Sequence, residues 1–170
     1  MITKESSSWL LIHALTTQTN NAVTESAFDL VEVCKRHPTN IARTLLYIAV
    51  CLQQLPVSFN TTELQLYPSV EARLDKYLST VQTLITSDDE LVSTIDGLEC
   101  LILQGLFHLN AGNPRRAWLT FRRALNIGQL MGIHKNNGSG IPGGEEMWYQ
   151  IVQADRYLVR CMYQWYCNSR

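Results

Sequence analysis

Four residues, Ala111-Gly112-Asn113-Pro114, separate two stretches in which apolar residues recur every three or four positions. Such a break constrains a chain strongly. Glycine permits the left-handed turn that ends one helix, asparagine suits the capping position of the next, and proline is tolerated at a first helical position. Upstream, Leu91, Ile95, Leu98, Leu101, Ile102, Gly105, Leu106 and Leu109 predict the buried side of a helix reaching from Asp88 to about Leu109. Asp88, Asp89 and Glu90 suit the positive end of its dipole. Downstream, Ala117, Trp118, Phe121, Ala124, Leu125, Gly128 and Met131 share one face of a helix from Pro114 to about Met131, ended by Gly132. Arg115, Arg116, Arg122 and Arg123 fall opposite. Two amphipathic helices joined by so short a turn predict an antiparallel hairpin. Gly97 and Gly105 weaken the first helix intrinsically but let another helix approach closely.

The remaining chain reads as helix too. Val23, Ala27, Leu30, Val31 and Cys34 keep helical spacing before His37-Pro38 stops the pattern. Asn40 is the expected cap of a helix whose stripe is Ile41, Leu45, Ile48, Ala49 and Leu52, widened by Leu46, Val50 and Leu55 and ended by Pro56. Apolar over so much of its circumference, it is expected at the centre of the fold. Tyr67-Pro68-Ser69 opens a helix with Val70, Leu74, Tyr77, Leu78, Val81, Leu84 and Ile85 on its apolar side. Asn136 to Gly144 is an irregular loop. Glu145-Glu146 then start a last helix with Met147, Trp148, Ile151, Val152, Leu158, Cys161 and Met162 on a broad apolar side that Asp155 interrupts. A carboxylate there needs a partner, either Arg156 or an arginine of another helix. Residues 1–22 form a short helix begun at Ser8 or a loose arm, 23–160 a helical domain, and 161–170 an atypical tail. No segment alternates as a strand does. The fold class is therefore all-α, a single bundle of about six helices containing the hairpin.

Composition narrows the function. At 170 residues, 46% hydrophobic and 17% charged, the chain can bury one continuous core. Its formal net charge of −1 offers no bulk attraction to a phosphate backbone. Cys34, Cys51, Cys100, Cys161 and Cys167 are odd in number, lack CxxC spacing and fit reduced core thiols. His13, His37, His108 and His134 are scattered, so no metal-ligand set is legible. Neither a signal-peptide pattern nor a bilayer-length apolar run is present, which places the chain inside the cell and away from membranes. GxSxG, Gly-rich phosphate loops and HExxH are all absent, and no histidine has a nucleophile or carboxylate at motif spacing, so no catalytic or cofactor-binding residues are assigned.

Two sharper readings compete with plainer ones. The four arginines of the second hairpin helix form either a phosphate-binding ridge or a solvated, ion-paired face, and the negative net charge favours the second. Trp118, Phe121, Trp148 and Trp165 either line an effector pocket or anchor the core, and helical spacing favours the core, above all for Trp118.

The block from Ser93 to Trp118, continued by FRRALNIGQLMGIHK, resembles the fungal-specific transcription factor domain. HPTNIARTLLYIAVCLQQL is similar to that family's entry helices, and Glu145-Glu146 followed by MWYQIVQADRYL to its acidic-then-tryptophan helix. The likeness spans about Val23 to Leu158. Its motif positions are Gly112, Pro114, Arg116, Ala117, Trp118, Arg123, Ala124, Gly132, His134, Trp148, Asp155 and Arg156, read as structural rather than catalytic. The family continues past its Asp-Arg helix with a Gly-Arg-Pro turn, where this chain reads CMYQWYCNSR. The resemblance implies a partial copy of the regulatory region of a nuclear zinc-cluster transcription factor. Zinc and DNA would then be bound by a separate six-cysteine domain, and the partners would be the transcription machinery, the remainder of a parent protein, or a small-molecule effector. A rival class is a helical-repeat scaffold, since GNPRRAWLTFRRAL resembles the second half of a tetratricopeptide unit, although no second copy recurs.

Overall fold

The computed structural model describes residues 35–56, 59–60, 67, 69–135 and 140–168. The expected arm at 1–22, the expected helix at 23–34 with Cys34, and parts of the 57–68 and 136–144 connectors lie outside the described residues, as does the side chain of Trp165. Among the described residues the fold is all-α, with six α-helices and no strand. These are α1 Pro38–Gln53, α2 Val70–Val81, α3 Asp89–Val92, α4 Ile95–Asn110, α5 Pro114–Leu130 and α6 Gly144–Asn168.

The central element is α4, not the helix from Asn40 to Pro56. Every residue from Cys100 to His108 is buried, and α1, α3, α5 and α6 all pack on α4. Its two glycines explain this capacity. A Cβ on Gly97 would lie 2.5 Å from the Leu91 carbonyl oxygen, and one on Gly105 would lie 2.6 Å from the Phe121 ring. Helix α1 buries Thr39, Ala42, Leu46, Ala49 and Val50, leaving the expected stripe residues Ile41, Leu45 and Ile48 half-buried. On a helix apolar over most of its surface the packing partner chooses the face, and here Cys100 Sγ donates to Thr39 O at 3.4 Å. Arg43 fixes the rotation by reaching Asp96 Oδ1 at 2.8 Å and Glu99 Oε2 at 3.0 Å. Burial by itself lowers the Arg43 pKa, and the Glu99 and Asp96 carboxylates outweigh it, so the guanidinium is held charged. The cap of α1 is His37, whose Nδ1 accepts from Thr39 N, so Asn40 sits inside the first turn.

Two predicted helices are interrupted. The one opened by Ser69, whose hydroxyl accepts from Ala72 N at 3.2 Å, passes after Val81 into a π turn over Gln82–Thr86, closed by Ser87 N donating to Gln82 O at 3.0 Å. The wider turn rotates the register, so Ile85 stays in the core while Leu84 is 64% exposed. The predicted helix from Asp88 to Leu109 breaks at Ser93-Thr94, where Thr94 Oγ1 accepts from Gly97 N at 3.0 Å and begins α4 afresh.

Both hairpin-helix ends match expectation. Gly112 (φ 73°) and Gly132 (φ 76°) are left-handed. At the first, Asn113 N donates to His108 O and Gly112 N to Leu109 O; at the second, Ile133 N donates to Gly128 O and Gly132 N to Gln129 O. These are Schellman closures, satisfying carbonyls that a helix end otherwise leaves unpaired.

Of the described cysteines, Cys100 alone belongs to the core; Cys51 and Cys167 are exposed and Cys161 is half-buried. Burial, with Glu99 and Asp96, pushes the Cys100 thiol up to about 12 despite Arg43, so it is inert packing. His108 is buried, and desolvation followed by repulsion from Arg116 lowers its pKa from 6.5. The unfolded chain therefore binds a proton near pH 6.5 that the folded chain refuses. Stability should fall as pH drops through 6.5 and stop falling below the lowered folded pKa. In urea titrations at pH 7.5 and about pH 5, His108→Leu should lose less stability than the parent protein over that interval.

Candidate functional site

The hairpin helix α5 carries half of the twelve motif residues, and its two sides do different work. Pro114 occupies the first helical position, but Asn113 makes no side-chain cap; its amide donates to Ala111 O at 3.4 Å, and its backbone N–H serves the Schellman closure instead. Ala117, Phe121 and Ala124 are fully buried, with Ile127 and Gly128 beside them. Phe121 lies directly against Gly105 of α4.

Trp118 packs against the core, as its spacing predicts, but is not fully enclosed. It is half-buried at the edge of the core, because it stands about 100° round the helix from Ala117. The Arg122 guanidinium covers its ring, 5.3 Å from the centroid, and Nε1 is shielded without a hydrogen-bond partner. With part of the ring wet, Trp118→Ala should cost about 2–3 kcal/mol, below the 3–5 typical of a fully enclosed aromatic. Urea midpoints measure the difference.

The four arginines do not form one ridge. Arg115 and Arg116 are exposed, whereas Arg122 and Arg123 reach back into the fold. Arg123 donates to the carbonyl of Thr86, the buried last residue of the π turn, and to Asp89 Oδ1 at 2.6 Å. This straps α5 to the two segments before α4. Arg122 Nε lies 2.8 Å from Asp155 Oδ1 on α6, an ion pair off the ideal hydrogen-bond direction. The partner of Asp155 is thus the arginine of another helix, while Arg156 remains exposed. Trp148, half-buried, closes the far end: a Cβ on Gly128 would sit 3.3 Å from its ring, and the exposed His134 ring stacks on it at 5.8 Å and a 55° tilt. The structure therefore gathers Gly112, Pro114, Ala117, Trp118, Arg123, Ala124, Gly132, His134, Trp148 and Asp155 along α5 and its ends. Arg116 and Arg156 point to solvent.

These contacts also fix the register between α5 and α6. Gly128 meets Trp148 and Arg122 meets Asp155, so the helices run antiparallel. Leu119 (53%), Val159 (43%) and Tyr163 (73%) are exposed, as are Arg115, Arg122 and Arg156. Sequence reading missed the exposure of these apolar residues. A second feature is an open depression at the start of α6, lined by Ile141, Pro142, Glu145, Glu146 and Tyr149.

Among the described residues no three His, Cys, Asp or Glu side chains are grouped to hold a metal ion, and no helix is long and apolar enough to cross a membrane. What the geometry offers is a helical bundle with a mixed apolar and basic outer face.

Comparison with known proteins gives that bundle a context. The chain is 41% identical over 147 residues to the transcription factor sdnS of Sordaria araneosa, a match covering 78% of this chain and 19% of that protein. It is 36% identical over 132 residues to the transcription factor eupR of a Phoma species, covering 72% and 28%. It is 31% identical over 154 residues to a dehydrocurvularin biosynthesis regulator of Aspergillus terreus, covering 85% and 21%. The chain is therefore homologous to segments of fungal transcription regulators and spans 19–28% of the length of these relatives. Those relatives are regulators rather than enzymes. No protein-family model matches the chain, and no solved structure matches it.

Proposed function

We propose that this chain is the middle regulatory region of a fungal zinc-cluster transcription factor, acting in the nucleus through helix-mediated protein contacts rather than chemistry. The observation that carries this reading is the match to transcription regulators over 72–85% of the chain. The gathering of the motif residues along α5 and its ends supports the same reading. Zinc and DNA belong to a separate domain in this reading. An effector, if one is used, would bind by contacts with the same helices.

The repeat-scaffold alternative has less support. The α4–α5 pair is one short-turn hairpin, but α6 follows after residues 131–143 and is 25 residues long, unlike a second repeat unit.

The test is a transcription reporter. The full chain is placed between a heterologous DNA-binding domain and an activation segment, and its output is compared with that of a flexible linker of equal length. The reading predicts output that differs from the linker's and returns to it when Phe121→Ala loosens the fold. Output equal to the linker's with a folded chain would remove the regulatory assignment.

A further inference from the structure

We propose that Ser87 is a phosphorylation site, modified by an acid-directed protein kinase with ATP as the phosphoryl donor, and that Arg123 receives the new phosphate. This deepens the reading above, and rests on it only for the purpose that the modification serves.

The acceptor is marked first by its neighbours in sequence. Ser87 is the one hydroxyl residue in the chain followed by three consecutive acids, Asp88, Asp89 and Glu90. Asp88 has a structural use, since its Oδ1 accepts from Glu90 N at 2.9 Å and caps α3. Asp89 and Glu90 complement a helix of only four residues, which has little dipole to offer them. All four residues from Ser87 to Glu90 are exposed. Ser87 and Asp88 lie outside regular helix, between the π turn and α3, and a bend at Ser93-Thr94 follows. One turn of helix is not stable by itself, so this segment can open into the extended form that a kinase cleft holds, at a cost well below that of global unfolding. Its charge matches a kinase whose cleft is basic.

Independently of the acids, the fold brings a cation to this turn. Arg123 of α5 donates to the carbonyl of Thr86, the residue before Ser87, and to Asp89 Oδ1 at 2.6 Å, two residues after it. Ser87 therefore stands in the chain between the two groups that Arg123 already holds. Its Oγ donates to Thr83 O at 2.8 Å. In the transfer, the Oγ–H bond and the bond from the γ-phosphorus to its bridging oxygen break, an Oγ–P bond forms, ADP leaves and the proton passes to the kinase. The ester oxygen can no longer donate to Thr83 O, so the side chain turns away from that carbonyl. The phosphate, with a charge of about −2, then repels the three carboxylates and competes for Arg123. A guanidinium meets phosphate with two parallel N–H donors, whereas Asp89 is 81% exposed and holds it weakly. Phosphorylation thus exchanges the partner of the strap that ties α5 to the segments before α4.

The experiment incubates the whole folded chain with casein kinase II and ATP, maps the phosphate by mass spectrometry and follows it by phosphorus NMR as pH is raised. Phosphate is expected on Ser87, absent in Ser87→Ala, with incorporation slower by about tenfold in Asp89→Asn combined with Glu90→Gln. The phosphoserine should lose its second proton at a pH at least about 0.5 lower in the parent than in Arg123→Gln, because a guanidinium beside it favours the dianion. Arg123→Lys, which keeps the charge but not the fork, should fall between the two. Circular dichroism checks that each variant keeps its helices. No incorporation, phosphate only on other residues, or a titration that Arg123→Gln and Arg123→Lys leave unmoved would each overturn the proposal. Any of these outcomes leaves the reporter result standing, so the two readings fail separately.

Discussion

Phe121→Ala should lower the stability of the chain by about 3–5 kcal/mol, because it empties the contact on which the hairpin is built. Phe121 is fully buried, and its ring occupies the space where α4 has no side chain at Gly105. The converse substitution attacks the same contact from the other side. A Cβ at Gly105 would lie 2.6 Å from Cε2 and 2.9 Å from Cζ of the ring, and both belong to well-packed helices with little room to shift. Gly105→Ala should therefore destabilise by about 1–3 kcal/mol, although alanine is the better helix former by about 1 kcal/mol. The two substitutions should not add. With the ring shortened in Phe121→Leu, Gly105→Ala should cost at least 1 kcal/mol less than it does beside phenylalanine. Urea denaturation of the four proteins closes this cycle. Additive losses would mean that the two residues do not share the contact.

The second large effect concerns a charge. Arg122→Ala removes the one cation paired with Asp155 among the described residues, and the Asp155 side chain is 11% exposed. Removing one partner of a buried pair typically costs 3–5 kcal/mol, because the other charge is left uncompensated. Arg122 is itself 45% exposed and water can partly take its place, so a loss of about 2 kcal/mol is expected, including its cover over Trp118. Asp155→Leu should restore much of that loss in the Arg122→Ala background, since an apolar side chain suits the neighbours Ile151, Ala154 and Leu158. Arg123→Ala should cost less in its ion pair, Asp89 being 81% exposed, and act chiefly through the Thr86 carbonyl.

What the sequence disclosed and what it concealed follow from the range of the interactions involved. The Gly112-Asn113-Pro114 break, the Gly132 stop and the inward face of α5 were legible because turn chemistry and helical periodicity are local. Gly105 as a point of close approach was legible for the same reason. The choice of α4 over α1 as the central helix was not, since both are apolar over most of their surface and only packing decides. Ser93-Thr94 did hold a readable sign of the break before α4, a hydroxyl cap followed by Asp96 in the first turn. The π turn at 82–86 had no such sign. The division of four arginines into two straps and two free groups depended on Thr86, Asp89 and Asp155, which lie far away in sequence.

The packing of Phe121 on Gly105 holds the hairpin together, and the regulatory reading requires the chain to act as that folded unit. Reporter output from the full chain, set between a heterologous DNA-binding domain and an activation segment, tests this most directly. Output that differs from an inert linker's and falls back to it in Phe121→Ala is the predicted result. Output equal to the linker's from the folded chain would contradict it.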